Sequence, residues 1–575
     1  MSLARKEIWQ VRLKSLVSIL LVLFAGLVLR IFQKSVIEHS KYSEIAQKQY
    51  RDERTIEAER GNIYFYDKTD LTPATLNVQK YQILVVPKNT PDKNEIAKQL
   101  ATILSLDEKD IFEKINNDKL YVPPIAKKVD KKLADQIEAL KLKDVQIFPD
   151  YVREYPEKEL ASHILGFVNH EFSGNYGVEQ YYEKILKGEP GLLVAEKDNK
   201  GRIIDFLNED IKAKNGGSIV LTVEKNVQYK MEQILKEGMD FSDAENGQII
   251  VVEPKSGKIL AMASSPNFDP NRFNEVAEEN KDREFSIFVN PAVSFAYEPG
   301  SIFKPIIVSL GLDNEKFEPD TKGGPFSNMT VVQGYEIHTA LNKGYGDETV
   351  TQILENSDNV GMVWVGNQIG NDLMREGLEK FGFNEKTGID LPGETTGTIL
   401  SLKNWRDIHR ANISFGQGVL VTPLQIAQAY ATIANDGEMP RLHIVDKIIR
   451  KDGSEEPIEN TTVRRVIKIE TANEVKQMMQ SVVDVGQSSK TKIEGYNIGG
   501  KTGTAQIAKK DGTGYEENSF NHSFAGIGPI TNPKFVVVIR LEKPTVTRFA
   551  DATVLPMFKK AMQFLLSYYQ IPKDY

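Results

Sequence analysis

An uncharged apolar run near the N-terminus sets the first constraint on this chain. Ser15–Leu29 carries no charged side chain over 15 positions. As a helix this run would be only about 22 Å long, less than the roughly 30 Å hydrocarbon core of a bilayer. Extending it to residues 13–32, with Lys14 and Arg30 reaching toward the interfaces, gives about 20 residues, enough to cross. The sequence therefore predicts one transmembrane helix over residues 13–32.

The alternative for this segment is a signal peptide that is removed after export. Such a peptide ends at a cleavage site with small residues, whereas here the basic stretch Arg30-Ile31-Phe32-Gln33-Lys34 follows. We therefore predict a retained anchor. Basic residues flank the helix on both sides, so the charge difference across it is slight. Because long domains cross membranes whatever their charge, we expect residues 1–12 in the cytoplasm and the bulk of the chain outside.

The composition excludes several classes of protein. A chain of 575 residues is too long for one hydrophobic core, and its 40% hydrophobic and 26% charged residues are ordinary for globular domains. The net charge of −8 gives no general basic surface for nucleic acid. The absence of cysteine excludes disulfides, thiolate metal sites and cysteine nucleophiles. The 7 histidines are scattered, so we predict neither a metal nor a cofactor.

Between the predicted anchor and residue 215 the pattern is mixed. The predicted elements are a helical stalk at 35–50, strands at 59–64 and 81–86, and helices within 91–145. The many charged residues of the helical part are typical of solvated helix faces. The polar stretch Lys212–Gly217 contains glycine and is predicted as a linker. We therefore assign residues 33–215 to one α+β domain.

Beyond the linker the sequence alternates sharply between strand and helix patterns. The predicted strands lie at 219–223, 247–252, 258–263, 498–508, 523–528 and 535–541, and the clearest amphipathic helices at 227–239 and 554–569. The turn Pro254-Lys255-Ser256-Gly257 joins two of these strands, and a helix-rich middle separates the first strands from the last. This order predicts an α/β sandwich with one mostly antiparallel sheet.

Three short motifs carry possible chemistry. They are Ser301-Ile302-Phe303-Lys304, Ser357-Asp358-Asn359 and Lys501-Thr502-Gly503. None is rare by itself, because the S-x-x-K pattern recurs at Ser489–Lys492 and the K-T-G pattern recurs at Lys386–Gly388. The residues around each copy must therefore indicate which copy can take part in chemistry.

Ser301 has the context of a nucleophile. It follows the turn Glu298-Pro299-Gly300 and precedes an apolar run, which predicts a position at the start of a buried helix. Residues three apart share a helix face, so Lys304 should reach the Ser301 hydroxyl. A lysine buried among apolar side chains can lose its proton near neutral pH and act as the base. Ser489 lies instead in a polar loop and is predicted to have no such role.

The second motif lies in a predicted turn between two helices. There the Ser357 hydroxyl can relay a proton, and the Asn359 amide can hold a peptide group of a substrate. The alternative for both residues is helix capping, which by itself would explain a serine and an asparagine at this place.

The third motif continues a predicted strand after a pair of glycines that would let another backbone approach closely. On an edge strand Lys501 would supply positive charge and Thr502 a hydroxyl, and both suit a carboxylate. The N–H of Thr504 can join that of Ser301 in an oxyanion hole. The copy at Lys386 runs into a turn and offers none of this.

A phosphate-binding loop is the main rival interpretation of this stretch. Residues Gly495–Thr502 fit the pattern G-x-x-x-x-G-K-[ST]. That motif needs an apolar strand before it and a helix after it, whereas residues 488–494 are polar and residues 503–514 have the pattern of a strand and a hairpin tip. No G-x-S-x-G sequence is present, so an α/β-hydrolase is disfavoured as well.

With the three motifs in this order, the chain resembles the penicillin-binding proteins, serine acyltransferases related to class A β-lactamases. The resemblance is strong over residues 218–575. It is weaker over residues 50–210, which are similar to the pedestal, or dimerisation, domain of the monofunctional class B members; no glycosyltransferase domain of the class A type is found. The segments that carry it are Arg60–Ile63, Gly177–Glu179, Ser265–Pro270, Tyr297–Pro305, Asp390–Glu394, Phe415–Gly418, Thr422–Gln425 and Lys501–Gln506.

The resemblance implies both a fold and a reaction. The fold is a transpeptidase domain over 218–575, an antiparallel sheet flanked by helices, preceded by an elongated α+β pedestal over 33–215. The reaction is the peptidoglycan D,D-transpeptidase reaction, in which a serine attacks a stem peptide ending in D-Ala-D-Ala and an amine of a neighbouring stem resolves the acyl-enzyme. The second motif looks slightly more like that of division-type members than that of elongation-type ones.

The resemblance also assigns roles to the motif residues. They are Ser301 as nucleophile, Lys304 as base, Ser357 as proton relay to the leaving D-Ala, Asn359 as holder of the peptide, Lys501 and Thr502 with Gly503 as the carboxylate site, and the N–H groups of Ser301 and Thr504 as the oxyanion hole. β-Lactams are expected to acylate Ser301. The expected partners are a SEDS-type membrane glycosyltransferase and other cell-wall machinery at the bacterial cell membrane.

One residue departs from the commonest form of the family's motifs. Asp358, in the middle of the second motif, is common in β-lactamases, whereas many penicillin-binding proteins have a smaller residue there. The alternatives therefore include a hydrolase, either a D,D-carboxypeptidase or a β-lactamase, and a non-catalytic β-lactam-binding scaffold. The predicted anchor and pedestal favour the transpeptidase.

Overall fold

The computed structural model describes residues 3–43, 51–56, 58–88, 90–119, 122–197, 203–206, 212–509 and 514–575. The chain divides into two units, each assembled from several sequence segments. The first unit comprises Met1–Glu59, Gln79–Tyr151 and Gly188–Asn215, and the second comprises Arg60–Val78, Val152–Lys187 and Gly216–Tyr575.

The N-terminal apolar run forms one long helix. The helix spans Leu3–Phe32 and continues as a π-helical turn over Gln33–Ile37. Within the described residues, Ile8–Ile37 is the segment long and apolar enough to cross a membrane, and its apolar window is not buried against protein. A helix that exposes apolar side chains on all sides is expected where the solvent is lipid. The predicted stalk over 35–50 is helical in part up to residue 43, and the rest lies outside the described residues.

The remainder of the first unit is an α+β domain. Its helices are Lys93–Leu104, Glu108–Ile115 and Lys131–Ala139, and its strands are Arg51–Ile56, Leu76–Val85, Ala126–Val129, Val145–Glu154, Gly191–Lys197 and Ile203–Phe206. The strands form two three-stranded sheets. The first helix begins where Asp92 accepts the N–H of Glu95, and it buries Ile96 and Leu100, one helical turn apart, against the sheet residue Ile83. Helix formation in this charged stretch therefore follows from the spacing of its apolar residues.

The second unit is built around a five-stranded antiparallel sheet, here named the central sheet. In spatial order its strands are Ile259–Ser265, Asn246–Val252, Phe535–Glu542, Tyr515–Gly528 and Gly499–Ala508. The last of these, Gly499–Ala508, is named the edge strand. The strands predicted near the start and near the end of this region are found. The strands from the C-terminal part pair with the first strands and so complete one sheet.

Alternating side chains divide the unit into two hydrophobic cores. On Phe535–Glu542, Val536 and Val538 enter one core while Val537 and Ile539 enter the other, which is the period of two expected of a strand covered on both faces. The helices Lys225–Ser242 and Val554–Tyr568 cover one face. The helices Lys304–Asp313, Pro423–Ala434 and Ile469–Asp484 pack into the core on the other face. This second face positions the candidate site.

Smaller elements complete the second unit. A second five-stranded sheet is formed by Glu455–Pro457, Val445–Ile449, Ser218–Glu224, Ile63–Asp67 and Asp70–Pro73. The further strands are Phe167–Val168, Gly174–Asn175, Lys322–Phe326, Met329–Val332, Tyr335–His338, Gly346–Thr349, Thr398–Ile399, Val419–Leu420, Glu438–Pro440 and Thr462–Arg465. The further α-helices are Ser162–Leu165, Gly177–Tyr181, Glu183–Leu186, Phe273–Glu279, Pro291–Ser294, Val350–Asn356, Asn359–Ile369, Asn371–Lys380 and Asp407–Ser414. The 3-10 helices are Pro270–Arg272, Gly300–Phe303, Leu402–Asn404, Ser489–Thr491 and Ala550–Ala552.

A buried ion-pair network joins the N-terminal segments of the second unit. The Glu179 carboxylate accepts a hydrogen bond from Arg60 Nε at 2.7 Å and another from Arg153 Nε at 2.8 Å, and all three side chains are buried. Burial by itself would raise the pKa of Glu179, but the two guanidinium groups outweigh it and hold the pKa below its ordinary value. The residues come from distant positions in the sequence, so the network fixes how these segments meet.

Replacing Glu179 with glutamine should lower the free energy of unfolding by about 3–5 kcal/mol, because buried Arg153 loses its ion pair with Glu179 and buried Arg60 keeps only its pair with Glu183. Unfolding of the full chain in detergent micelles measures the change. Since the native pKa of Glu179 is depressed, wild-type stability should fall as the pH drops toward it, and this acid-dependent loss should shrink in E179Q. The control is Glu189→Gln, which breaks the exposed pair with Lys214 and should have no measurable effect. Equal destabilisation by both variants would contradict the prediction.

Candidate active site

Ser301 lies in a 3-10 turn, Gly300–Phe303, here named the serine turn. The sequence predicted the buried helix to start at Ser301, whereas the α-helix begins at Lys304. The reason is Pro305, which has no N–H to donate to the Ser301 carbonyl in the α-helical pattern. The N–H of Lys304 donates to that carbonyl instead, in the 3-10 pattern. Ser301 is therefore held in one tight turn directly before the buried helix.

Lys304 joins the first motif to the second. Its side chain is fully buried, and Nζ lies 2.7 Å from the Ser357 carbonyl oxygen, 2.8 Å from Asn359 Oδ1 and 3.2 Å from Ser357 Oγ. The predicted contact with the Ser301 hydroxyl is not among these hydrogen bonds. Two motifs that are far apart in the sequence thus meet at one amine.

Burial and the positive charge of Lys501 both favour the neutral form of this amine. Burial lowers the pKa of Lys304 well below its ordinary value, and the nearby positive charge of Lys501 lowers it further. A neutral lysine has two N–H bonds and one lone pair. The two shortest contacts, to the Ser357 carbonyl and to Asn359 Oδ1, can take both N–H bonds, which leaves the lone pair to accept a proton from a hydroxyl. The arrangement suits a general base.

Local backbone geometry explains how the second motif presents its side chains. Ser357 ends the helix Val350–Asn356 with φ +55°, a left-handed conformation that stops the helix. Asp358 caps the next helix, Asn359–Ile369, by accepting the N–H groups of Val360 at 2.9 Å and Gly361 at 2.7 Å. The turn therefore directs the side chains of Ser357 and Asn359 toward Lys304. It directs the side chain of Asp358 into the protein interior.

This geometry accounts for the departure at Asp358. Its side chain is buried, and both carboxylate oxygens accept backbone N–H groups. In the sequence, helix capping was the alternative role for Ser357 and Asn359. In the structure, the side chain that caps the helix Asn359–Ile369 is that of Asp358. A carboxylate in this position is not free to activate a water molecule, so Asp358 gives no support to hydrolysis.

The third motif lies on the edge strand, as predicted, at the end of the central sheet. Gly503 permits contact between this strand and the serine turn, because a Cβ at Gly503 would lie 2.5 Å from Ser523 Oγ and 2.9 Å from the Pro299 carbonyl oxygen. One strand position further along this face, Ala505 lies against Gly300, where an added Cβ would come within 3.0 Å of the Ala505 Cβ. The strand and the turn therefore pack backbone to backbone.

Lys501 and Thr502 are both buried on this strand, and Thr504 is half-buried beside the serine turn. Burial lowers the pKa of Lys501 to about 7. Among the residues that the structure describes, the Lys501 amine has one weak hydrogen bond, to the Thr502 carbonyl oxygen at 3.4 Å. A buried cation with so little compensation is suited to bind an anion that replaces the lost water.

The structure separates the motif copies. Ser489 and Lys492 are exposed in and beside a 3-10 turn, and Lys386 is exposed as well. The stretch with phosphate-loop spacing leads into the edge strand, and the next described element is another strand rather than a helix. The phosphate-binding-loop interpretation thus lacks the following helix that its motif requires.

Two residues that contribute to the site, Gly416 and Glu348, lie outside the three sequence motifs. Gly416 has φ +83°, and a Cβ there would lie 2.1 Å from the Gly300 carbonyl oxygen, so it allows a neighbouring loop to support the serine turn. Its segment, Phe415–Gly418, carried the family resemblance but no role. Glu348 is buried next to Asp358. The sequence around Glu348 contains no pattern that predicts this contact.

Comparison with protein families places both halves of the chain. Residues 247–563 match the model of the penicillin-binding protein transpeptidase domain, and residues 55–221 match that of the penicillin-binding protein dimerisation domain. Among curated relatives, stage V sporulation protein D of Bacillus subtilis is 31% identical over 91% of this chain and 80% of its own length. The peptidoglycan D,D-transpeptidase FtsI of Escherichia coli is 30% identical over 87% of this chain and 83% of its own length.

Solved structures show the same fold. A peptidoglycan synthetase from Bifidobacterium adolescentis superposes with a TM-score of 0.75 at 26% identity, covering 91% of this chain and 98% of the other. Penicillin-binding protein 3 of Mycobacterium tuberculosis, solved with aztreonam, superposes with a TM-score of 0.70 at 24% identity over 91% of this chain and 98% of the other. At that identity the second likeness is one of fold.

Replacing Asp358 with alanine should lower the free energy of unfolding by about 1–2 kcal/mol, because the helix Asn359–Ile369 loses its N-cap. Asp358→Asn should retain most of the stability, since its amide oxygen can still accept a backbone N–H. Thermal unfolding measures both. Asp107→Ala, which removes the exposed N-cap of the helix Glu108–Ile115, serves as a control and should cost less. Equal stability of D358A and D358N would contradict the capping function.

Proposed function

The chain belongs to the penicillin-binding protein transpeptidases, and from this premise we propose that Ser301 is the nucleophile of its reaction. It is a class B, division-type member and acts as a peptidoglycan D,D-transpeptidase in cell-wall synthesis. The observation that carries the assignment of the site is the meeting of Lys304 with Ser357 and Asn359, directly behind the serine turn.

Acylation begins with attack on the penultimate D-Ala carbonyl of a stem peptide. The Ser301 proton passes to the neutral amine of Lys304, and Ser301 Oγ forms a bond to the carbonyl carbon. The N–H groups of Ser301 and Thr504 stabilise the oxyanion. When the tetrahedral intermediate collapses, the C–N bond breaks, and the amine of the terminal D-Ala receives the proton through Ser357. The short distances from Lys304 to Ser357 support this relay.

Transfer reverses these steps with a second stem peptide. The amine of that stem attacks the ester carbonyl, loses its proton to the same relay, and releases Ser301 as a hydroxyl. One peptide bond replaces another, so the reaction needs no cofactor and no external energy source. Water that reached the ester first would give hydrolysis, and the commitment of Asp358 to backbone capping removes one carboxylate that could have activated it.

Substrate recognition uses the two sides of the site. The Lys501 ammonium and the Thr502 hydroxyl bind the carboxylate of the terminal D-Ala, and Asn359 holds a peptide group. Gly503 keeps the strand against the serine turn, so that the carboxylate site and the nucleophile are a fixed distance apart. The buried, poorly compensated amine of Lys501 supports this role.

The same proposal covers the chain's placement in the cell. One helix of the described residues is long and apolar enough to cross a membrane and precedes the two matched domains. This supports a single-pass membrane protein, in which we place residues 1–12 in the cytoplasm and the catalytic domain outside. Residues 33–215 would act as pedestal and residues 218–575 as transpeptidase domain. The partner supplying glycan strands would be a SEDS-type membrane glycosyltransferase.

Ser301→Ala should abolish covalent labelling by a fluorescent penicillin and cross-linking of stem peptides, because no other group can form the acyl-enzyme. Gel fluorescence and product analysis measure the two activities. Ser489→Ala removes the exposed serine of the second S-x-x-K copy and should leave both activities at the wild-type level. Persistent labelling of S301A, or rapid release of the drug by the wild-type chain, would contradict the proposal.

Acylation by substrates with a carboxylate should weaken as the pH rises through about 7, since Lys501 loses its charge there. Below that pH the ammonium is present; above it the amine is neutral. We expect the ratio of second-order acylation rates for a penicillin and for its methyl ester to fall about tenfold between pH 6 and pH 8, as one ionisation requires. Lys386→Ala should not alter this dependence. A constant ratio would rule out Lys501 as the carboxylate site.

A further inference from the structure

A second buried carboxyl group lies behind the second motif. Glu348 is on the strand Gly346–Thr349, immediately before the helix that ends at Ser357. Only 3% of its surface is exposed. Asn356 Nδ2 donates to Glu348 Oε1 at 2.6 Å, while Oε2 is buried and receives no hydrogen bond from any described residue. One oxygen of this carboxyl is therefore without a donor.

The neighbour of that carboxyl is Asp358. The two side chains lie within hydrogen-bonding reach of each other. Two ionised carboxylates cannot form a hydrogen bond and repel each other, whereas one proton between them removes the repulsion and supplies a donor. Asp358 already accepts two backbone N–H groups, which favours its charged form, so the proton belongs on Glu348. Burial raises the pKa of Glu348 to about 7. Burial also raises the pKa of Asp358 above its ordinary value, and both shifts agree with a shared proton.

The pair lies close enough to Lys304 for its charge to affect that amine. Both carboxyl groups would raise the pKa of Lys304 if they were ionised, while burial and Lys501 lower it. Glu355 and Tyr345 also approach the pair: the charge of Glu355 acts on Glu348, and the charges of both carboxyls act on Tyr345. The number of negative charges on the pair therefore influences whether Lys304 is a base.

We propose that Glu348 is a positioning residue of the transfer reaction, a protonated carboxyl that donates to Asp358 and limits the pair to one negative charge beside Lys304. The donated bond orients Asp358 for capping the helix Asn359–Ile369, and the cap in turn sets where Ser357 and Asn359 stand. The single charge leaves Lys304 free to become neutral. This rests on the proposed function, in which Lys304 is the base that takes the Ser301 proton.

The proposal defines how two variants should differ. Glu348→Gln has the shape of the protonated acid, since its amide can donate to Asp358 while its oxygen accepts from Asn356. Glu348→Leu is similar in size and can do neither. At pH 6 we expect E348Q to be acylated by a fluorescent penicillin within about twofold of the wild-type rate, and E348L about tenfold more slowly, the effect of one lost buried hydrogen bond.

The pH dependence separates a proton carrier from a merely structural group. In the wild-type chain Glu348 ionises as the pH rises through about 7, and the second negative charge holds the proton on Lys304. E348Q cannot ionise, so the ratio of its acylation rate to the wild-type rate should rise about threefold from pH 6 to pH 8.5. Loss of charge on Lys501 acts on both proteins and cancels in this ratio. Glu376→Gln, which alters an exposed carboxyl paired with Lys380 on the helix Asn371–Lys380, is the control and should give a flat ratio.

The proton can also be observed directly. The infrared difference spectrum between the full wild-type chain and E348Q at pH 6 should contain the carbonyl band of a protonated carboxyl, shifted in heavy water. In Asp358→Asn the asparagine amide can donate to an ionised Glu348, so the band should be absent. Both spectra require only folded protein, and they decide the question even if E348L fails to fold.

The results that would refute the role of Glu348 differ from those that would refute the proposed function. Absence of the protonated band, a flat rate ratio for E348Q, or wild-type acylation of E348L would each refute the role of Glu348 while Ser301 remained the labelled residue. If the wild-type chain were not acylated, or if S301A were still labelled, the proposed function itself would fail.

Discussion

The hydrogen bonds of one buried lysine are the interaction on which the site depends. Lys304 is in the helix that follows Ser301, and its amine bonds to Ser357 and Asn359, which belong to another pair of helices. An amine without water needs these acceptors, because an unpaired buried donor is costly. The hydrogen bonds that satisfy Lys304 therefore also bring the segment that contains Ser301 and the second motif together.

A second constraint is the close approach of two backbones. The edge strand meets the serine turn at Gly503 and Gly300, and Gly416 supports the turn from the other direction. Any side chain at Gly503 or Gly416 would collide with backbone or with Ser523, so these glycines serve packing rather than flexibility. A site fixed to the edge of this hydrogen-bonded sheet would keep Lys501, proposed to bind a carboxylate, in register with Ser301, the proposed nucleophile.

The two buried lysines have different environments and so suit different tasks. Lys304 is surrounded by acceptors and lies near Lys501, which favours its neutral form, whereas Lys501 has little compensation until an anion arrives. The carboxyl pair behind the second motif adds charge control from the other side. Burial thus suits one lysine to the proposed role of base and the other to the proposed role of anion site, without a metal or a cofactor taking part in the proposed steps.

The sequence by itself determined the long apolar N-terminal helix, the order of the elements and the motifs, since these depend on local apolar spacing and on residues adjacent in the chain. It placed the edge strand and the turn at Ser357 correctly, and it put the start of the helix at Ser301 rather than Lys304 by overlooking Pro305. Only the tertiary structure decided that Lys304 bonds to Ser357 and Asn359, that Asp358 is a cap, and that Glu348 lies beside it. These contacts join residues brought together by folding, and no local pattern encodes which side chains will share a buried space.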